Sequence, residues 1–331
     1  MKHKNIPVFI PHLGCPNDCV FCNQRKITEH TDFKEEDVKK TIDEATATLN
    51  PEDEAEIAFF GGSFTGIDRD LMIRLLTLGK SYIDSGSVSS LRCSTRPDYI
   101  DGEILDILQK YGVKTVELGI QSTDDTVLKA CKRGHTANQS FKAMELIKSR
   151  GFSLIGQMMT GLPGASAESE IQTAEDICKY ADGGRIYPIV VFKDTELSCM
   201  ASAGAYKPYS IEELIKRTAD VKEVFIKHSI PTIRVGLQAN EGLTGGDEIA
   251  CGGYDGAIGE KVDSLIYYRI FKRILAGYTG NIAVIAVPAG HVSRASGHKK
   301  ENKARLCAEY NLKDVKFIEK DIPQYSAELI R

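Results

Sequence analysis

Two hydrophobic periods alternate along the first two thirds of the chain. Ile6 to Leu13, Ala55 to Phe60, Ser90 to Thr95, Val113 to Ile120, Phe152 to Met159 and Arg185 to Phe192 are short, mainly apolar runs of strand length. Between them, apolar residues recur at helical spacing: Val38, Ile42, Ala45 and Leu49, with Thr31 or Asp32 as cap, then Leu71, Leu75 and Leu78. Further helices are read across Asp124–Lys132, Ala137–Ser149 and Ser169–Tyr180. Arg96-Pro97-Asp98 closes the third strand and Gly161-Leu162-Pro163-Gly164 the fifth. Six strand–helix units in this order predict parallel strands with helical crossovers. In such α/β folds chemistry gathers at the carboxyl ends of the strands.

A helix follows at Ile211 to His228 and a strand at Thr232 to Leu237. The loop Gln238–Gly259 holds seven glycines and few large apolar residues, which places a boundary there. The expectation is a core over 1–237 and a small α/β extension over 238–331. The extension has a helix with Val262, Leu265, Ile266, Ile270 and Ile274, a strand at Ile282–Val287, a helix near Asn302–Glu309 and a strand at Val315–Ile318.

Composition sharpens this picture. With 331 residues, 42% hydrophobic and 27% charged, the chain is globular rather than disordered or fibrous. No run reaches the ~18 apolar residues of a membrane span, and Pro7 and Pro11 interrupt the N-terminal apolar stretch, so no signal peptide is read. Both readings point to the cytosol, without membrane association. A net charge of -4 excludes an overall basic nucleic-acid glove, although residues 236–331 carry 13 Lys and Arg against 12 Asp and Glu. Nine cysteines are an odd number, and a reducing compartment disfavours disulfides.

Three of the nine lie together. Cys15, Cys19 and Cys22 form C-x3-C-x2-C in a loop just after the first strand. Thiolates this close select zinc or an iron–sulfur cluster. Structural zinc takes four protein ligands, which His12 or a distant cysteine would have to complete. On a four-iron cube, three thiolates leave one iron open to a small ligand.

C-x3-C-x2-C with Phe21 before the last cysteine resembles the signature of the radical S-adenosylmethionine (SAM) enzymes, and later motifs fit that superfamily over about residues 5–235. The resemblance implies a partial (β/α)6 TIM-like barrel, a 4Fe-4S cluster held by Cys15, Cys19 and Cys22, and SAM chelated at the open iron. Reductive cleavage of SAM then yields methionine and a 5'-deoxyadenosyl radical that abstracts hydrogen from substrate. Gly61-Gly62-Ser63, ending the second strand, resembles the Gly-Gly motif that serves the SAM amino group, with Ser63 in place of an acid. Gln121 and Arg133 match residues of the oxygen-independent coproporphyrinogen oxidases and the elongator catalytic subunit that bind the SAM ribose and carboxylate. An amide suits a diol, and a guanidinium is a rigid fork for a carboxylate.

Gln157 stands where the porphyrin enzymes carry Asp, and Ser94 lies in the segment where they carry a Glu. Both are read as facing SAM, in a shell that has lost two carboxylates. Thr95-Arg96-Pro97-Asp98, Arg133-Gly134-His135-Thr136, Cys251-Gly252-Gly253-Tyr254, Val262-Asp263-Ser264 and Gly297-His298-Lys299-Lys300 resemble the elongator-type group instead, so the likeness covers nearly the whole chain. The acetyltransferase domain of that subunit has no counterpart here. Cys93, Cys131, Cys178, Cys199, Cys251 and Cys307 form no second C-x-x-C pair and are read mainly as small buried hydrophobes.

The implied function is radical chemistry on an RNA, tRNA or similar, with an electron donor such as ferredoxin or flavodoxin. The alternatives are a radical SAM enzyme acting on a small molecule and a zinc-stabilised binding protein without catalysis. Tyr187 and Lys193, flanking the end of the sixth strand, and Tyr254 in the glycine-rich loop are the candidate substrate-side residues. Arg294, Lys299, Lys300, Lys303 and Arg305 face a single acid, Glu301, within residues 291–306, which is the footprint expected for phosphate contacts. Helical spacing would put Lys299, Lys300 and Lys303 largely on one face.

Overall fold

The computed structural model describes residues 3–10, 13–15, 19–23, 33–50, 52–238, 243 and 246–330. His12, Thr31 and Asp32 lie outside these.

The six expected strands form, in order, β1 (His3–Ile10), β2 (Glu54–Gly61), β3 (Ser90–Thr95), β4 (Val113–Gln121), β5 (Ser153–Thr160) and β6 (Gly183–Pro188). They pair in sequence order, all parallel, and β8 (Thr232–Val235) adds a seventh strand beside β6. The crossovers include α1 (Glu35–Thr46), α2 (Arg69–Asp84), α3 (Gly102–Lys110), α4 (Asp125–Ala130), α5 (Ala137–Ser149), α6 (Ala167–Cys178) and, after the short α7 (Glu196–Ser202), α8 (Ile211–Lys227). The helix starts are written locally. Asp68 and Asp101 accept the N–H of Leu71 and Ile104, and Thr136, Ser166 and Ser210 each form a reciprocal capping box.

One core lies between the sheet and its helices, with Ile57, Phe59, Leu91, Val116, Leu118 and Leu154 fully buried. The long run expected from Arg185 to Phe192 is broken. β6 ends at Pro188, which cannot donate to a ladder, and β7 (Val191–Phe192) pairs antiparallel with β9 (Ile249–Cys251).

The C-terminal part is built on α9 (Ile258–Ile274), which lays Val262, Ile266, Tyr267 and Phe271 into a second core. β10 (Ile282–Pro288) pairs parallel with β11 (Asp314–Lys320) and antiparallel with β12 (Glu328–Leu329), a strand the hydrophobic pattern did not suggest. α10 (Val292–Ser296) and α11 (Glu301–Glu309) connect β10 to β11. Lys222 on α8 meets Asp263 on α9, both buried, and Tyr325 reaches the same carboxylate at 3.1 Å, so the C-terminal part is locked to the barrel. No helix among the described residues is long and apolar enough to cross a membrane.

Candidate active site at the barrel mouth

The loop after β1 is fitted against the end of β2. Gly62 donates its N–H to Ile10 and Ser63 to Leu13. A Cβ on Gly62 would lie 2.0 Å from the Leu13 carbonyl, and one on Gly14 would lie 2.1 Å from the Ser63 carbonyl. Only bare glycines permit this approach, which carries Cys15 up to the Gly-Gly-Ser turn. The Ser63 backbone faces the Cys15 thiol.

Further along, Val20 is buried in the second core; its N–H bonds to the Cys131 carbonyl at the end of α4, and its carbonyl accepts from Leu197 at the start of α7. Cys19 is thereby anchored between two helices. The Cys22 N–H closes a turn onto the Cys19 carbonyl.

Two arginines close over the thiols. Arg133 Nη1 donates to Cys19 Sγ at 3.3 Å, and its Nη2 to the Gly119 carbonyl at 2.6 Å. Arg96 bonds through Nη2 to the Arg133 carbonyl and holds Asp98 by two bonds of 3.0 and 2.8 Å. Burial and the neighbouring Cys19 push the Cys15 thiol up, and Arg133 and Arg96 pull it down.

Two buried polar atoms here, Arg96 Nη1 and Gln121 Oε1, have no hydrogen-bond partner among the described residues, and the His135 ring lies against the Ile120 backbone. Burial, with Arg133 beside it, lowers His135 to about 3, so the ring is neutral. Gln121 itself sits at φ 66°, in the left-handed region that costs a non-glycine residue on the order of 1 kcal/mol or more. Ser63 and Thr65 bond to the Thr95 hydroxyl at 2.9 and 2.5 Å, tying the ends of β2 and β3 together. These donors suit the group that the cysteine spacing implies: Cys15 and Cys19 at a cationic rim, Cys22 in the same loop, and unfilled hydrogen-bonding groups around them. No three His, Cys, Asp or Glu side chains among the described residues gather tightly enough for a single metal ion, whereas thiolates on a cube bind separate irons.

Below the mouth the barrel interior is polar. Arg92 bonds to Glu56 at 2.9 and 2.7 Å and to Glu117 at 2.9 Å. Arg185 Nη2 bonds to Glu117 at 2.9 Å, and its Nε lies 2.8 Å from the other carboxylate oxygen without hydrogen-bond alignment. Gln157 Nε2 donates to Glu117 at 2.8 Å. Gln157 thus contacts a carboxylate one strand away, on β4. Sequence spacing does not reveal this role of Glu117, because the pairing crosses four strands. Ser94 lies half-buried two residues after Arg92, on the same side of β3.

The remaining candidates are spread out. Tyr187, at the end of β6, is half-buried beside Arg185, and burial raises its hydroxyl. Lys193 is exposed on the turn after β7, its N–H on the Glu248 carbonyl. Tyr254 lines a small cleft with Pro188, Val190, Gly236, Leu237, Asp255 and Ile258, its buried hydroxyl without a partner among the described residues. In the C-terminal part Lys303 pairs with Asp314 at 2.7 Å, Arg294 lies 3.4 Å from Glu260 and 3.6 Å from Asp263, and Arg305 stacks on Tyr268 at 3.9 Å. Lys299 and Lys300 are exposed in a tight turn ahead of α11, at φ 50° and 65°. The expected shared helical face with Lys303 does not form, because the helix begins only at Glu301, held by Asn302 bonded back to Ser264 and Ala295. Among the six other cysteines, Cys93, Cys131 and Cys178 are buried, and burial pushes each up to about 12.

Residues 9–177, half of the chain, match the radical SAM superfamily, and residues 181–264 match the radical SAM C-terminal domain. The chain belongs to the radical SAM superfamily. Enzymes of this superfamily bind a 4Fe-4S cluster and SAM, and this chain is one of them. It is 30% identical over 210 residues to a tRNA uridine(34) acetyltransferase of Methanocaldococcus jannaschii, which is 57% of this chain and 39% of that relative. The chain thus spans about two fifths of that relative's length. An uncharacterized protein of the same organism is 29% identical over 249 residues, 71% of this chain and 74% of its own. In fold, the chain is similar to the archaeal Elp3 of Methanocaldococcus infernus lacking its N-terminus, with a TM-score of 0.63 at 24% identity over 84% of this chain and 64% of that one.

Proposed function

We propose that this radical SAM enzyme modifies an RNA, of tRNA type, at the mouth of its barrel. The observation that carries the site is Arg133, bonded to Cys19 and to the end of β4, beside the unfilled acceptor of Gln121. In this reading Cys15, Cys19 and Cys22 hold the cluster, and Arg133 takes the SAM carboxylate. Gly61, Gly62 and Ser63 face its amino group, while Gln121, Gln157 and Ser94 face the nucleoside. The bound cluster and SAM supply a carbon radical that abstracts hydrogen. The chain's own residues bind and orient. Gln157, its N–H₂ committed to Glu117, has its Oε1 left to accept from a hydroxyl. Tyr187, Lys193 and Tyr254 stand on the substrate side.

The RNA reading rests on the tRNA-acting relative and on Lys299 and Lys300, with Arg294, Lys303 and Arg305 as secondary contacts. The ion pairs of those three favour the second reading, a small-molecule substrate. An electron donor such as ferredoxin or flavodoxin, a cytoplasmic setting, and a division of the chain at 237/238 complete the proposal.

The test uses the anaerobically reconstituted full chain, with iron, sulfide and deoxyadenosine measured and tRNA affinity titrated against salt. Replacing Lys299 and Lys300 by Ala should reduce the log–log salt slope by roughly 2, with cluster content unchanged. An affinity for tRNA that is absent at low ionic strength overturns the RNA reading in favour of a small molecule. With the true substrate, Ala at Tyr187 or Tyr254 should lose substrate turnover. Wild-type turnover would make them packing residues.

A further inference from the structure

Arg96 is 4% exposed, and its guanidinium is spoken for on one side only. Nε and Nη2 grip Asp98, and Nη2 also holds the Arg133 carbonyl. Nη1 is fully buried and has no hydrogen-bond partner among the described residues. A buried donor left unmade is costly, and more so when it belongs to a charged group. Such a vacancy in a folded protein calls for an occupant. Its position is not accidental. Pro97 follows immediately and keeps Arg96 extended, at φ -96° and ψ 154°, so that its side chain leaves the end of β3 rather than joining a helix. Asp98 then fixes the fork in a bidentate pair.

The charges facing Arg96 from the other elements are Cys15 and Cys19 of the loop after β1. Arg133 approaches the same thiols and already donates to Cys19. Two arginines, one just after β3 and the other between α4 and α5, therefore converge on one pair of thiols. One of them has a hydrogen bond to sulfur, and the other has a buried N–H to spare.

We propose that Arg96 Nη1 donates a charge-assisted hydrogen bond to anionic sulfur of the iron–sulfur cluster and thereby raises its reduction potential. This rests on the cluster reading above. When the cluster takes one electron from an external reductant, its net negative charge grows by one. A fixed guanidinium and an N–H bond to sulfur stabilise that reduced form more than the oxidised form. Arg96 is in this sense a positioning and tuning residue, distinct from Arg133, which serves the SAM carboxylate.

The experiment is a reductive titration of the reconstituted full chain with titanium(III) citrate, followed by electron paramagnetic resonance. At the poise where the wild type is half-reduced, Arg96→Gln should lower the ratio of reduced to oxidised cluster about tenfold, a shift of about 59 mV to more negative potential. Arg96→Lys, which keeps the charge and loses the fork, should fall between. If Arg96→Gln does not load a cluster, Asp98→Asn decides. It leaves Arg96 in place without its neutralising carboxylate, and the potential should move the opposite way. Full iron content with an unshifted potential in Arg96→Gln, or in Asp98→Asn where that variant decides, overturns the inference while leaving the cluster reading intact. A wild-type chain that takes up no iron and sulfide overturns both.

Discussion

The interior of the barrel and its mouth are both lined by buried arginines, and they are finished differently. Inside, Arg92 is shared between Glu56 and Glu117, and Glu117 also receives Arg185 and Gln157. Ser90 and His3 complete Glu56 at 2.6 and 2.8 Å. At the mouth, Arg96 and Gln121 keep buried atoms with no hydrogen-bond partner among the described residues. Inside, every one of these charges has an opposite charge against it, Arg185 Nε being the one buried atom among them not aligned to bond, and such a paired network belongs to the fold. An open one, at the carboxyl ends of parallel strands, is shaped for something that arrives later. The difference separates charge that holds the barrel together from charge that waits for a ligand.

Four substitutions would break or sharpen this contrast. The largest effect is expected at the mouth. Ala at Cys15, Cys19 or Cys22 should abolish cluster absorbance and SAM cleavage, while Ala at Cys93 or Cys251 should not. Equal loss at Cys93 would refute the three-thiol assignment.

In the interior, Arg92→Met leaves Glu56 and Glu117 buried with fewer partners. It should destabilise the chain by about 3–5 kcal/mol in urea unfolding, with or without SAM. A change under about 1 kcal/mol would mean the network is not part of the fold's stability.

Arg133→Ala should weaken SAM binding by about 1.5–3 kcal/mol with iron content preserved, as calorimetry would read. Unchanged affinity would remove Arg133 from the SAM site.

The smallest effect concerns His135. Unfolded, it protonates near 6.5, and folded only near about 3. Between those values the unfolded chain binds the extra proton, so stability is full above about pH 6.5 and is lost as the pH falls towards the folded value. The slope is at most about 1.4 kcal/mol per pH unit. His135→Gln should flatten the decline between pH 7 and 5. An identical pH profile in both proteins would show that other groups carry it.

Much of the mouth was legible in the sequence because its signals are local. The cysteine spacing, Gly61-Gly62 at a strand end, and Gln121 with Arg133 twelve residues on are fixed by the chain itself. They land together because parallel strands in sequential order put every carboxyl end on one rim. The partners of the cations in the C-terminal part were not legible, for the converse reason. Asp314, Asp263 and Tyr268, which engage Lys303, Arg294 and Arg305, are remote in sequence or on another element, and no spacing rule foretells them.

The sequence by itself determined the alternation of strand and helix, the caps that start the helices, and the loop that gathers three thiols. Periodicity, turn chemistry and capping act over a few residues. Only the tertiary structure decided that a seventh strand extends the sheet, that Gln157 bonds to Glu117, and that Arg96 keeps one buried N–H without a partner among the described residues. Each of these depends on the register of one strand against another. A charge's partner is set by where the folded sheet places the neighbouring side chain, not by its distance along the chain.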